Sequence, residues 1–178
     1  MVTHATRSGD ASRPRGPVRS GAHFDPTGAF RYTLWREWDR EAPRLAWVLL
    51  NPSTADADVD DPTIRRCMSF AWRWGYGSIE VVNLYAWRAS KPAALEAAGF
   101  PVGPGNDRAV RRAVRRADRV VVGWGAFAAR DDRFRAVLRR LGRVPLSCLG
   151  TTAGGQPRHP LYVRGDTEPL AYKAPATS

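Results

Sequence analysis

An α/β fold follows from three observations on the 178-residue chain. Four short, β-rich apolar runs recur along it, each bounded by glycine, proline or aspartate, and three amphipathic helical patterns lie between them. Runs of that kind suit strands buried on both faces of a parallel sheet. Strand and helix in alternation imply crossover connections that lay helices on both sides of that sheet. The expectation is a three-layer α/β/α sandwich with a four-stranded parallel core sheet and an N-terminal β-hairpin-like addition. It fills residues 26–172 as a single domain, a size that buries a substantial core.

Each element has its local reason. Residues 1–25 are basic and carry no apolar core of the kind a secretory signal needs, so they are expected as a disordered basic tail, as are residues 173–178. "AFRYTLWREW" alternates apolar and polar residues, "DREAP" supplies turn chemistry, and "RLAWVLLN" follows as the first buried strand, which together suggest a hairpin-like entry. "DPTIRRCMSFAWRWG" opens with aspartate and proline and closes on glycine, the signature of a capped helix. The strand "SIEVVNLY" comes next. "GNDRAVRRAVRRAD" then sets Ala109, Val110, Ala113 and Val114 on one face and arginines on the other. After the strand "DRVVVGWG", the segment "AFAARDDRFRAVLRRLG" repeats that logic with Phe134, Val137, Leu138 and Leu141, and "VPLSCLG" is the last strand.

Composition excludes several classes. Two cysteines, Cys67 and Cys148, are too few for a disulfide framework or a cysteine-ligated cluster, which points to a reducing cytoplasm. No apolar run approaches the ~20 residues of a membrane span, so no membrane partner is expected. The formal charge of +11, from 28 Lys and Arg against 17 Asp and Glu, suits a protein that meets phosphate backbones. Almost all of those cations are arginine, as GC-rich coding also produces, so charge alone leaves a solvated basic surface equally open. Asp56, Asp58, Asp60 and Asp61 crowd together without the glycine and terminal glutamate of a calcium loop. Asp61 is expected to cap the next helix and the others to be solvated, with a catalytic assist from one of them left open; no metal and no cofactor are expected.

In a sheet of this kind, ligands bind beyond the carboxyl ends of the strands. That rule gathers residues 51–54, 83–88, 124–127 and 150 onward into one candidate site. Asn51 is stiffened by Pro52, which suits the holding of a water, although the pair also makes an ordinary turn. Asn83 presents a donor and an acceptor side by side, as reading a pyrimidine edge requires, or bonds its own loop. Tyr85, Trp87 and Arg88 follow it, with Phe70, Trp72 and Trp74 on the preceding helix; such aromatics stack on bases or fill a core. His159 lies in "TTAGGQPRHPLYVRGD", held extended by Pro160 on an arm that Gly154 and Gly155 allow to bend.

Taken together, these segments resemble the uracil-DNA glycosylase superfamily. "LLNPST" is similar to the Asn-Pro element of the mismatch-specific branch, and "DPTIRRCMSFAWRWGY" to the helix that follows it there. "VVNLYAWRASKP" resembles the asparagine-bearing strand and loop of the thermostable branch, and "RHPLYVRG" the histidine-proline motif that closes the site. The pairing of LNPSTAD with GQPRHPLY is more similar still to a bacterial and phage family of unknown function.

The resemblance implies a metal-independent DNA N-glycosylase that removes a damaged or modified base flipped out of DNA, nucleoid-associated in the cytoplasm and monomeric. Asn51 would hold the hydrolytic water, His159 would donate to the departing base, and Asn83 would recognise that base, with Phe70 or Tyr85 stacking on it. Ser53, Arg88, Arg158, Leu161 and Arg164 would contact DNA; Leu161, where the family carries serine, would be a wedge into the base stack or the mark of a different substrate. Ser53 replaces a glycine that permits close approach in the mismatch-specific branch, and the cluster cysteines of the thermostable branch are absent. Two other readings stand beside this one: a non-catalytic nucleic-acid-binding module of the same fold, and an N-glycosidase acting on free nucleosides or nucleotides.

Overall fold

The computed structural model describes residues 17–175, and within them a mixed α/β architecture built on one seven-stranded sheet. The strands are β1 (Arg19–Phe24), β2 (Arg31–Glu37), β3 (Arg44–Leu49), β4 (Ser78–Asn83), β5 (Arg119–Val122), β6 (Leu146–Cys148) and β7 (Leu170–Ala171). They lie in the order β1-β2-β4-β3-β5-β6-β7. The pairs β4–β3, β3–β5 and β5–β6 are parallel, and antiparallel pairs flank them on both sides. The described residues also hold four α-helices: α1 (Pro62–Arg73), α2 (Pro92–Ala97), α3 (Asn106–Arg116) and α4 (Arg133–Leu141).

β3 shows why the apolar runs become central strands. Leu45, Trp47 and Leu49 pack with Ile64, Cys67 and Phe70 of α1, whereas Ala46 and Val48 pack with Val110 and Val114 of α3 and with Phe134 and Val137 of α4. Alternate side chains leave opposite faces of a strand, so a strand covered on both sides must be apolar throughout. α1 begins where Asp61 Oδ1 accepts the Ile64 amide at 2.9 Å, with Pro62 in the first turn. It ends at Trp74, beyond which Gly75 takes φ +79°, a left-handed conformation that a side chain would strain.

The structure corrects the expected elements in four places. β2 does not form a hairpin with β3, because β4 and β5 already occupy both edges of β3; β2 pairs with β4 instead. The N-terminal hairpin is β1 with β2, so residues 19–24 are a strand and not part of a tail. Residues 1–16 and 176–178 of the expected tails lie outside the described residues, and 173–175 form neither helix nor strand. "AFAARDDRFRAVLRRLG" divides into a 3-10 segment, Ala126–Arg130, and α4, while α2 and β7 were not expected at all. Among the described residues no helix is long and apolar enough to cross a membrane.

Candidate functional site

The parallel strands β3, β4 and β5 end at one rim of the sheet, and a cavity of about 640 Å³ opens there against the N-terminus of α1. A volume of that order suits a small organic ligand. Asn51, Asn83 and His159, far apart in sequence, all line it, as do Ser53, Arg158 and Leu161.

Asn51 follows β3 and is half-buried. Its amide nitrogen donates to the carbonyls of Ala89, at 2.8 Å, and Pro52, at 3.0 Å. Both N–H donors are thereby committed, and the side-chain oxygen is left as a fixed acceptor. Asn83, the last residue of β4, is 1% exposed, and neither its Oδ1 nor its Nδ2 has a hydrogen-bond partner among the described residues. Buried polar groups are ordinarily satisfied, and leaving one unmatched costs ~1–3 kcal/mol. Asn83 thus borders the cavity with both of its polar atoms unmatched.

His159 is carried by a braced arm. Residues 150–158 fold back on themselves through Thr152 N to Gln156 O (2.8 Å) and Arg158 N to Gly150 O (2.9 Å). Gln156 Oε1 accepts the indole N–H of buried Trp124 at 2.8 Å, and the Gly125 amide donates to Pro157 O at 2.9 Å. Beyond the histidine, Arg66 of α1 donates to the carbonyls of Pro160 and Val163. The close approach of this arm to the end of β5 explains the first glycine of "GWG". A Cβ at Gly123 would lie 3.2 Å from Pro160 Cδ and 3.3 Å from the Arg158 carbonyl.

The imidazole is neutral at physiological pH. Burial lowers its pKa to about 4, and the Asp61 carboxylate opposes that shift only in part. Its Nδ1 accepts from the Leu161 amide at 3.3 Å, which assigns the proton to Nε2 as a free donor.

Other expected site residues lie elsewhere. Phe70 is 1% exposed and packs against Trp47 and Trp74 in the α1 core, because it shares the helix face of Ile64 and Cys67. Tyr85 is fully buried under α3 and α4, and its hydroxyl donates to Asp131 at 2.6 Å. Neither lines the cavity; the aromatic rings that do are Trp124, Phe127 and Tyr162. Arg88 donates to Gly28 O and lies 5.1 Å over the Phe24 ring, outside the cavity lining. Arg164 is exposed and paired with Asp166 through two hydrogen bonds, also away from the lining.

The aspartate cluster divides by role. Asp61 caps α1 and borders the cavity, Asp60 pairs with Arg36 at 2.8 Å, and Asp56 accepts the amides of Asp58 and Val59. Those two amide bonds hold the Asp56 carboxyl below its usual range. Among the described residues no group of three or more His, Cys, Asp or Glu side chains is placed to hold a metal ion. His23, which sequence assigned to the tail, packs on Tyr32 in the N-terminal hairpin, with ring centroids 5.7 Å apart.

Sequence reasoning missed Arg31. It starts β2, is 2% exposed and lines the cavity, yet the alternation of "FRYTLWRE" reads it as a solvent-facing position. Neither the curated proteins nor the solved structures offer a match to this chain. The family described as "Protein of unknown function (DUF1643)" matches residues 31–161, a segment that runs from Arg31 through the histidine arm, and the chain belongs to that family.

Proposed function

We propose that the protein is a DNA N-glycosylase of the uracil-DNA glycosylase type, a three-layer α/β/α sandwich with a four-stranded parallel core that hydrolyses the bond between a damaged or modified base and its sugar. The observation that carries the reading is the buried, unmatched carboxamide of Asn83 on the same cavity wall as Asn51 and His159. An extruded base placed there would exchange its own donor and acceptor edge with Asn83. Phe127, half-buried on the lining, would stack on it.

The chemistry assigns one role to each group. Asn51 Oδ1, fixed by the two bonds its nitrogen makes, accepts from a water beneath the anomeric carbon. The water oxygen bonds to that carbon as the carbon–nitrogen bond breaks, the bonding electron pair leaves with the base, and the proton that the water sheds neutralises the released base. His159, neutral and with Nε2–H free, donates to the base oxygen on which the charge accumulates. Asp61 carries two backbone bonds as a helix cap, so its contribution is a negative potential beside the positively charged sugar of the transition state. Arg158 and Leu161 lie on the cavity rim, where a nucleotide backbone and a base stack would meet the arm.

The test is incubation with single- and double-stranded DNA carrying uracil, hydroxymethyluracil, hypoxanthine or alkylated bases, followed by alkaline cleavage. Abasic sites that vanish with Asn51→Ala and fall about a hundredfold or more with His159→Ala support the reading. DNA bound without any base release replaces it with the binding module. Release from free nucleosides alone replaces it with a nucleosidase.

A further inference from the structure

Arg31 occupies an unusual position for a guanidinium. β2 runs antiparallel to β4, so the amino end of β2 reaches the rim where β4 ends, and the Arg31 amide donates to Ala86 O at 2.9 Å. The side chain is 2% exposed and borders the same cavity as Asn83. Of its five donors, one has a partner among the described residues: Nη1 donates to Ala55 O at 2.8 Å, while Nε is buried with no acceptor among them. Burial lowers its pKa to about 10, which still leaves it charged at neutral pH.

Among the described residues nothing neutralises that charge by contact. Asp61, the carboxylate on the lining, makes no ion pair with Arg31 and spends its oxygens on the Ile64 and Ala55 amides. Arg36 and Arg88 add positive potential at Arg31, and Asp61 and Asp56 oppose it from a distance. A buried cation without a contacting anion is costly, and a planar fork of free donors matches a two-oxygen anion.

We propose that Arg31 forms an oxyanion subsite in the cavity, so that the preferred ligand carries a carboxylate or phosphate beside the heterocycle edge that meets Asn83. The proposal deepens the base-pocket reading and rests on it for the heterocycle, but not on base excision. A pyrimidine bearing a ring carboxylate and a pyrimidine nucleoside monophosphate present the same chemistry from two sources.

Isothermal titration of the full chain with uracil, uracil-5-carboxylate, orotate, uridine 5′-monophosphate and inorganic phosphate tests it. At least one oxyanion-bearing pyrimidine should bind tenfold or more tightly than uracil. A ring carboxylate as the best ligand places the anion on the base, and the monophosphate as the best ligand places it on the sugar. Arg31→Gln should abolish the preference while uracil affinity stays within about twofold, and Arg31→Lys should keep part of it. The wild-type comparison decides the matter even where Arg31→Gln does not fold. Uracil binding with no gain from either oxyanion overturns the subsite and leaves the base pocket standing. Phosphate binding that depends on Arg31, with no pyrimidine bound, keeps the subsite and removes the base pocket. Silence from every probe overturns both.

Discussion

Replacing Asn83 by leucine should make the protein more stable and functionally inert. The carboxamide is 1% exposed, and both of its polar atoms lack partners. Ile79 and Val81, at alternate positions on the same strand, face the core beneath α1. Leucine has the same branched skeleton with bulkier methyls, which the adjoining cavity can take up, and it asks for no hydrogen bonds, so it removes an unmatched donor and an unmatched acceptor at a modest packing cost. Each unmatched group is worth ~1–3 kcal/mol. Allowing for imperfect repacking, the net gain in unfolding free energy is about 1–3 kcal/mol. For a chain of this size a kilocalorie moves Tm by about 2–4 °C, so calorimetry and urea unfolding should record a rise of roughly 3–10 °C. Ligand binding and base release should fall below detection in the same variant. A site residue that destabilises its own fold is the signature of a pocket kept for a ligand. A variant less stable than wild type by a kilocalorie or more would refute the argument, because it would mean that the carboxamide is already satisfied inside the protein.

Three further outcomes follow from the same geometry. Because the His159 pKa falls to about 4 from 6.5 on folding, the unfolded chain takes up the proton first; stability should decline as pH drops below 6.5 and stop declining on this account below about 4. The loss totals about 3 kcal/mol, read as the difference between wild type and His159→Gln in urea titrations across that range, and equal slopes would remove the assignment. Asp61→Ala should cost about 0.5–2 kcal/mol through the lost cap of α1, whereas Asp61→Asn, which keeps an acceptor for the Ile64 amide, should recover most of it; thermal melts of the pair distinguish them. Gly123→Ala places a methyl 3.2 Å from Pro160 Cδ, so it should displace the histidine arm and raise amide exchange over residues 150–162, with little loss in β3 and β4; unchanged exchange would show that the arm yields without cost.

The legible parts of this protein are those where one physical demand dominates. β3, β4 and β5 are covered on both faces, so apolar residues dominate them despite the buried Glu80 of β4, and the rim rule then gathered Asn51, Asn83 and His159 from three separate segments. Where two demands compete, pattern fails. β1, "RSGAHF", is an edge strand held by its backbone pairing with β2 and needs little apolar content, so it reads as tail. α2 has no side-chain cap and begins on Lys91 and Pro92, so it reads as loop. Tyr85 has the parity of Asn83, but the strand ends at Asn83, and the Leu84 and Tyr85 amides turn to bond Leu49 O and Leu50 O. That turn sends the ring under α3 and away from the cavity. Arg31 fails for a different reason. Alternation separates the two faces of a strand but is silent on what covers each, and here the segment after β3 closes over β2 through Ala55 O. A charge that sequence assigns to water is thereby enclosed, and its unmet donors become, like those of Asn83, visible only as a missing partner.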